Sequence, residues 1–150
     1  MVQVASVLVG NQTLQGNYTW AGGSWNSAYT TVIGDQCVLT ISTGIDHDLA
    51  GHVIENRGRV VWTGGRIRGG AGGSTISNFG LWEASASSGF NQEYGGNGMV
   101  FNNSSTFRST GSTVTYFSVP LIHSGTMEIL NGSVAVNIGG TIQEIGRAHV

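Results

Sequence analysis

Asp46, His47 and Asp48, with His52 and Glu55 close behind, form the densest group of titratable side chains in the chain. Carboxylates and imidazoles at such short spacing can hold a divalent cation or act as an acid–base pair. Either use needs the side chains to converge on one point, and Asp46, Asp48 and His52 are the residues a metal site would recruit. A solvated turn is the other reading of the same stretch. A second cluster follows: Arg57, Arg59, Arg66 and Arg68, with Trp62 among them. Guanidinium groups beside an aromatic ring can bind an acidic glycan through charge and stacking. Asp46, Asp48 and Glu55 nearly balance that charge, so the patch is no footprint for nucleic acid. The Gly-rich residues 69–75 lack the Lys of a phosphate loop and no helical pattern follows them, so they read as a turn. No catalytic residue and no cofactor is assigned.

Whatever these side chains do, the elements that carry them are set by a repeat. Residues 76–82 (Ile-Ser-Asn-Phe-Gly-Leu-Trp) share their pattern with residues 54–60, 101–107 and 121–127. An apolar residue comes first, Asn usually two places on, a small residue fifth and an apolar residue seventh. With the small residue as origin, the origins fall at Gly16, Gln36, Gly58, Gly80, Ser105 and Gly125, separated by 20, 22, 22, 25 and 20 residues. Periods of this size mean stacked units. Two places past the origin stand Tyr18, Val38, Val60, Trp82, Phe107 and Met127, all apolar. Four places before it stand Gln12, Val32, Ile54, Ile76, Phe101 and Leu121, and nine places after it Trp25, Ile45, Ile67, Gly89, Val114 and Val134. The column three past the origin holds Thr19, Leu39, Val61, Glu83, Arg108 and Glu128 and tolerates charge, so it should face water.

Three apolar columns per period predict three short strands per coil, each with alternating inward side chains. Gly64-Gly65, Gly72-Gly73, Gly95-Gly96, Asn131-Gly132 and Gly139-Gly140 mark turns. Successive coils would pair in parallel about 4.8 Å apart. Asn56, Asn78 and Asn103 occupy one column, with His123 as its variant. They read either as a hydrogen-bonded amide ladder or as turn residues. The longest step contains residues 90–98, expected to leave the coil as a loop that offers Tyr94 to a ligand.

Composition agrees with a β-rich chain. Charged residues are 9%, Lys is absent and Gly numbers 25, while β-branched and aromatic residues recur throughout. The net charge of -2 gives no reason to expect a nucleic-acid partner. A single cysteine, Cys37, excludes a disulfide framework and a Cys-based metal site. No apolar run reaches the roughly 18 residues of a membrane-spanning helix.

Four motifs carry a resemblance: Asn-x-Gly-Arg-Val-Val-Trp at 56–62, Asn-x-Gly-Leu-Trp at 78–82, Ser-Ser-Thr-Phe at 104–107 and Ser-Gly-Thr-Met-Glu-Ile at 124–129. They resemble the repeats of large secreted bacterial β-solenoid proteins, namely autotransporter passengers and filamentous-haemagglutinin-like adhesins. The likeness covers most of the chain up to Glu144. It implies an all-β, right-handed parallel β-helix (β-solenoid) of about six coils of 20–25 residues. It also implies an extracellular or cell-surface location and a structural or adhesive role. Carbohydrate or a host or cell-surface protein would be the partner, bound by exposed groups such as Arg59, Arg66, Arg68 and Tyr94. The shared motif is structural, and so are Asn56, Gly58, Asn78, Gly80, Asn103 and Gly125. Pectate lyases and polygalacturonases also use a β-helix, with clustered Asp beside Arg or Lys and often calcium. A polysaccharide-degrading enzyme built on Asp46 and Asp48 is therefore the alternative. Residues 145–150 read like one frame of a common sequencing adapter, which leaves 1–144 as solenoid, an internal piece of a longer protein. Such a piece would expose a bare sheet edge at each cut end and associate end to end.

Overall fold

A computed structural model describes residues 2–4, 8–70, 72–96, 98–137 and 141–142. Residues 145–150, with the adapter reading, lie outside them. Among the described residues the regular structure is all β, in three parallel sheets. Sheet I holds Gln12–Leu14, Thr30–Ile33, Val53–Asn56, Thr75–Asn78, Val100–Asn103, Leu121–His123 and Thr141–Ile142. Sheet II holds Val2–Val4, Asn17–Trp20, Val38–Ile41, Arg59–Trp62, Leu81–Ala84, Thr106–Ser109 and Thr126–Ile129. Sheet III holds Gly23–Asn26, His47–Ala50, Ile67–Gly70, Gly89–Tyr94, Val114–Phe117 and Ser133–Val136. The chain visits the three sheets in turn and then steps one strand along each, which makes a parallel β-solenoid of about six coils.

The strands are this short because each serves one wall of a narrow tube. In Val53–Asn56, Thr75–Asn78, Leu81–Ala84 and Val100–Asn103 the second and fourth residues are buried and the first and third are not. That is the two-residue period of a pleated strand. Two inward side chains per wall must meet those of the other two walls, and large rings do this best. Trp20, Trp25, Trp62, Trp82, Phe90, Phe101, Phe107 and Phe117 are all fully buried. They touch coil to coil, Trp62–Phe90 at 4.7 Å and Phe90–Phe117 at 4.8 Å between centroids, and wall to wall within one coil, Phe101–Phe107 at 5.9 Å. These separations lie in the attractive range for aromatic pairs.

The asparagine column is a ladder. Asn56 Nδ2 donates to Asn78 Oδ1 at 2.7 Å, and Asn78 Nδ2 donates to Asn103 Oδ1 at 2.7 Å. Asn103 Nδ2 donates to His123 Nδ1 at 2.9 Å. Each amide also donates to a carbonyl of the neighbouring corner: Leu81 O, Thr106 O and Ser105 O, respectively. These residues close strands of sheet I and point inward, so the turn reading falls away. Beyond Asn56 the column turns aliphatic, with Ile33 and then Leu14. Because Ile33 cannot donate, Asn56 Oδ1 is left without a partner.

The corner glycines answer to space. A Cβ on Gly80 would lie 2.2 Å from the Gly58 carbonyl oxygen, one on Gly58 2.2 Å from Gly34 O, and one on Gly125 2.1 Å from Ser105 O. Adjacent corners are stacked too closely for a side chain on that side.

The expected columns need correction in three places. Thr31, not Val32, pairs with Ile54, and Leu39, not Val38, pairs with Val60. Residues 34–37 make that corner two residues longer than its successors, so the origin placed at Gln36 is displaced. In sheet III the column of Ile67 runs through His47 and Phe90, whereas Ile45 is 59% exposed. Val114 pairs with Ser133, and Val134 with Thr115. Finally, residues 90–98 are no simple loop. Gly89–Tyr94 is a strand, Phe90 lies in the core, and one extra residue is absorbed as a bulge between the Arg68–Asn91 and Gly70–Tyr94 pairs. Only past Tyr94 does the chain turn, with Gly95 and Gly96 at positive φ.

Candidate functional site

The outer face of sheet III gathers most of the singled-out side chains. Parallel pairing sets Asp48 opposite Arg68, and the residues just before them, Asp46 and Arg66, follow suit. Arg66 grips Asp46 with two hydrogen bonds of 2.8 and 2.9 Å and reaches Glu93 of the next coil at 2.8 Å. Arg68 grips Asp48 at 2.7 and 3.0 Å and approaches Asp46 at 3.2 Å. The Arg66 hydrogen bonds hold the Asp46 carboxyl below its ordinary value, against a smaller opposing effect of burial. Tyr94 lies over this row. Its ring faces the Arg68 guanidinium at 5.6 Å, and its hydroxyl accepts from Asn26 Nδ2 at 2.7 Å, three strands along the sheet.

Beside the row is a hollow of about 340 Å³ whose lining includes Arg66, Ser88, Asn91, Glu93 and Tyr116. Tyr116 is 43% exposed. Asn91 and Glu93 belong to the stretch 90–98 expected to offer contacts, whereas Tyr116 was missed as a candidate in the sequence. Their partners lie about one coil away, and only the strand register brings them together.

Arg59 belongs to another face. On sheet II, Glu83, Arg108 and Glu128 stand in one register column, and Arg59 hydrogen-bonds to Glu83. Arg108 bridges Glu128 at 2.6 Å and Glu83 at 3.3 Å. Charge alternates along the axis, and each arginine ties one coil to the next. Such exposed pairs contribute roughly 0–1 kcal/mol each. Their larger effect is to leave these arginines already neutralised toward an anionic ligand.

The histidines part company with the aspartates. His47 and His52 are fully buried. His47 Nε2 donates to Trp20 O at 3.0 Å. Ser27 O can only accept, so His52 donates to it from Nδ1 at 3.2 Å, and His52 Nε2 accepts from the Thr31 hydroxyl at 2.9 Å. Both rings pack edge-on against a stacked Trp20–Trp25 pair. Among the described residues no group of three or more His, Cys, Asp or Glu is placed to hold a metal ion. Asp46, Asp48 and His52 do not converge.

Burial pushes the His47, His52 and His123 imidazoles below their ordinary value near 6.5. Hydrogen bonds to backbone carbonyls partly oppose this at His47 and His52. The unfolded chain therefore binds protons that the folded chain refuses. The stabilisation from burying neutral rings is complete above about pH 6.5 and declines as pH falls toward the depressed folded values, by at most about 1.4 kcal/mol per pH unit for each ring. Thermal melting at pH 7.5 and pH 5 should show a marked drop in Tm at the lower pH. Replacing His52 with Gln, which also donates and accepts, should reduce that drop. A Tm independent of pH across this window would contradict the buried neutral rings.

No family model, curated protein or solved structure matches the chain. Among the described residues no helix is long and apolar enough to cross a membrane.

Proposed function

We propose that the chain is a structural and adhesive segment of a secreted or cell-surface protein, a rod of about 30 Å whose lateral faces carry the contacts. The observation behind this reading is how the outward charges are used. Asp46, Asp48, Glu83, Glu93 and Glu128 are each bound by arginines of an adjacent coil. Carboxylates held this way clamp the stack and are poorly placed to act as acid or base. The hollow beside Tyr116, where an exposed ring stands near the Asn91 amide, is the contact surface this reading assigns on sheet III. Carbohydrate or a cell-surface protein is its expected partner.

Beads coated with the chain should be retained under flow on surfaces bearing polysaccharide or cell-surface protein. Tyr116→Ala should cut that retention severalfold. Equal retention of bare beads would remove the adhesive part of the proposal. The same preparation should release no product from an acidic polysaccharide. An activity that disappears in Asp46→Asn or Asp48→Asn would replace the stalk with the polysaccharide-degrading enzyme.

A further inference from the structure

Phe79 is 53% exposed, and its place in the repeat does not call for an aromatic ring. Backbone hydrogen bonds fix its equivalents in the corner between sheets I and II. Arg57 N–H donates to Ile33 O, Phe79 N–H to Asn56 O, Ser104 N–H to Asn78 O and Ser124 N–H to Asn103 O. Every other residue in this series is polar. The ring packs against nothing in the core, and leaving it in water costs stability.

Its surroundings form a groove. One hollow of about 390 Å³ is lined by Asp35, Arg57 and Phe79. A second, of about 300 Å³, shares Asp35 and Arg57 and continues past Gly34 to Gln15. The two run along the axis over four successive coils, about 14 Å at the strand spacing. The long corner at residues 34–37 raises one wall. Gly34 has no side chain, and a Cβ there would strike the Gln15 amide at 2.5 Å, so Gln15 lies across it. Asp35 is the one carboxylate among the described residues with no arginine partner. Arg57 is paired only with Glu55, at 3.0 Å, and its side chain is 57% exposed.

We infer that this corner groove is a binding site for a neutral oligosaccharide. The exposed ring supplies a platform for the apolar C–H face of a sugar. The free Asp35 carboxylate, the Arg57 guanidinium and the Gln15 amide supply planar acceptors and donors for ring hydroxyls. Asp35 and Glu55 outweigh Arg57, so an anionic chain is disfavoured. A peptide has less to hold. Thr30–Ile33, Val53–Asn56 and Thr75–Asn78, the sheet I strands along most of the groove, have a neighbour on both sides, and Gln12–Leu14, the end strand among the described residues, pairs on its groove side with Thr30–Ile33, so no free strand edge opens into the groove for β-addition. The inference goes beyond the adhesive reading, because it places a ligand class at a groove apart from sheet III.

The test is calorimetric titration of the whole chain with three neutral hexasaccharides: a β-1,4-glucan, an α-1,4-glucan and a β-1,4-linked N-acetylglucosamine oligomer. At least one should bind at millimolar concentration or below. Phe79→Ala should weaken that binding at least tenfold and Asp35→Asn about threefold, while Ser124→Ala, two coils further along the corner, should leave it unchanged. All three side chains point to solvent, so the melting temperature of each variant should match the parent and loss of binding is not loss of fold. No heat from any of the three sugars overturns the proposal. So does binding that survives Phe79→Ala but is lost in Tyr116→Ala, which would instead support contact through sheet III. Binding of a random-sequence peptide pool in place of the sugars overturns the ligand class.

Discussion

Asn78→Ala should destabilise the chain by about 4 kcal/mol. The side chain sits at the centre of the amide ladder, fully buried. Its loss strands one Asn56 amide hydrogen, Asn103 Oδ1 and the Thr106 carbonyl. Each orphaned buried group costs about 1–3 kcal/mol, and the void adds to this. Solvent can relieve part of the loss at the corner carbonyl, so the total falls below the sum of the maxima. Against a typical domain stability of about 5–15 kcal/mol this is a large fraction. Asn78→Asp separates shape from chemistry. The carboxylate can still accept from Asn56 but loses both donors and faces Asn103 Oδ1 acceptor to acceptor, so it should be at least as damaging. Urea unfolding is the measurement, with the midpoint falling at nearly constant slope. A loss under about 1 kcal/mol in both variants would mean that the ladder is incidental to stability.

Phe90→Ala should have a comparable effect, about 3–5 kcal/mol. Phe90 touches Trp62, Trp82, Phe101 and Phe117, with ring centroids 4.7–5.8 Å apart. Alanine would leave a cavity joining three coils and would remove aromatic pairs worth about 0.5–1.5 kcal/mol each beyond their area. The outcome separates two pictures of residues 90–98. In a surface loop the substitution would shift stability by less than about 0.5 kcal/mol. In the core it should lower the melting temperature strongly and collapse the near-ultraviolet circular dichroism of the buried tryptophans. Tyr94→Ala, four residues on and on the outer face, should change both signals far less.

The misplacement of Phe90 shows where sequence reading loses its grip. The columns of sheets I and II after Gly58 were legible because the Asn-x-Gly corner between them has constant length. From Asn56 onward every motif lands in register. The link from sheet II to sheet III varies from coil to coil, so counting nine places from the corner reached Gly89 and Ile45 instead of Phe90 and His47. At Gly89 the error is one residue, which exchanges the inner face for the outer. The candidate site suffered in the same way. Asp46, Asp48, Arg66 and Arg68 were visible as a cluster of charge, but their pairing depends on a 20-residue step. His47 and His52 looked like partners of those aspartates and instead turn inward to the tryptophans. Phe79 was in plain view within the repeat and was passed over, although an apolar residue in a polar corner column was a signal.

Period, alternation and the small residue at each corner are local properties of the chain. They follow from pleat geometry and from the room a corner leaves for a Cβ, and together they determined a stack of three-strand coils without any knowledge of contacts. Which side chain meets which is decided by hydrogen bonds between residues about one coil apart and by the volume the rings must fill. The tertiary structure alone could therefore decide that Ile33 ends the amide ladder, that Phe90 fills the core, and that Asp35, Arg57 and Phe79, from three different coils, share one groove.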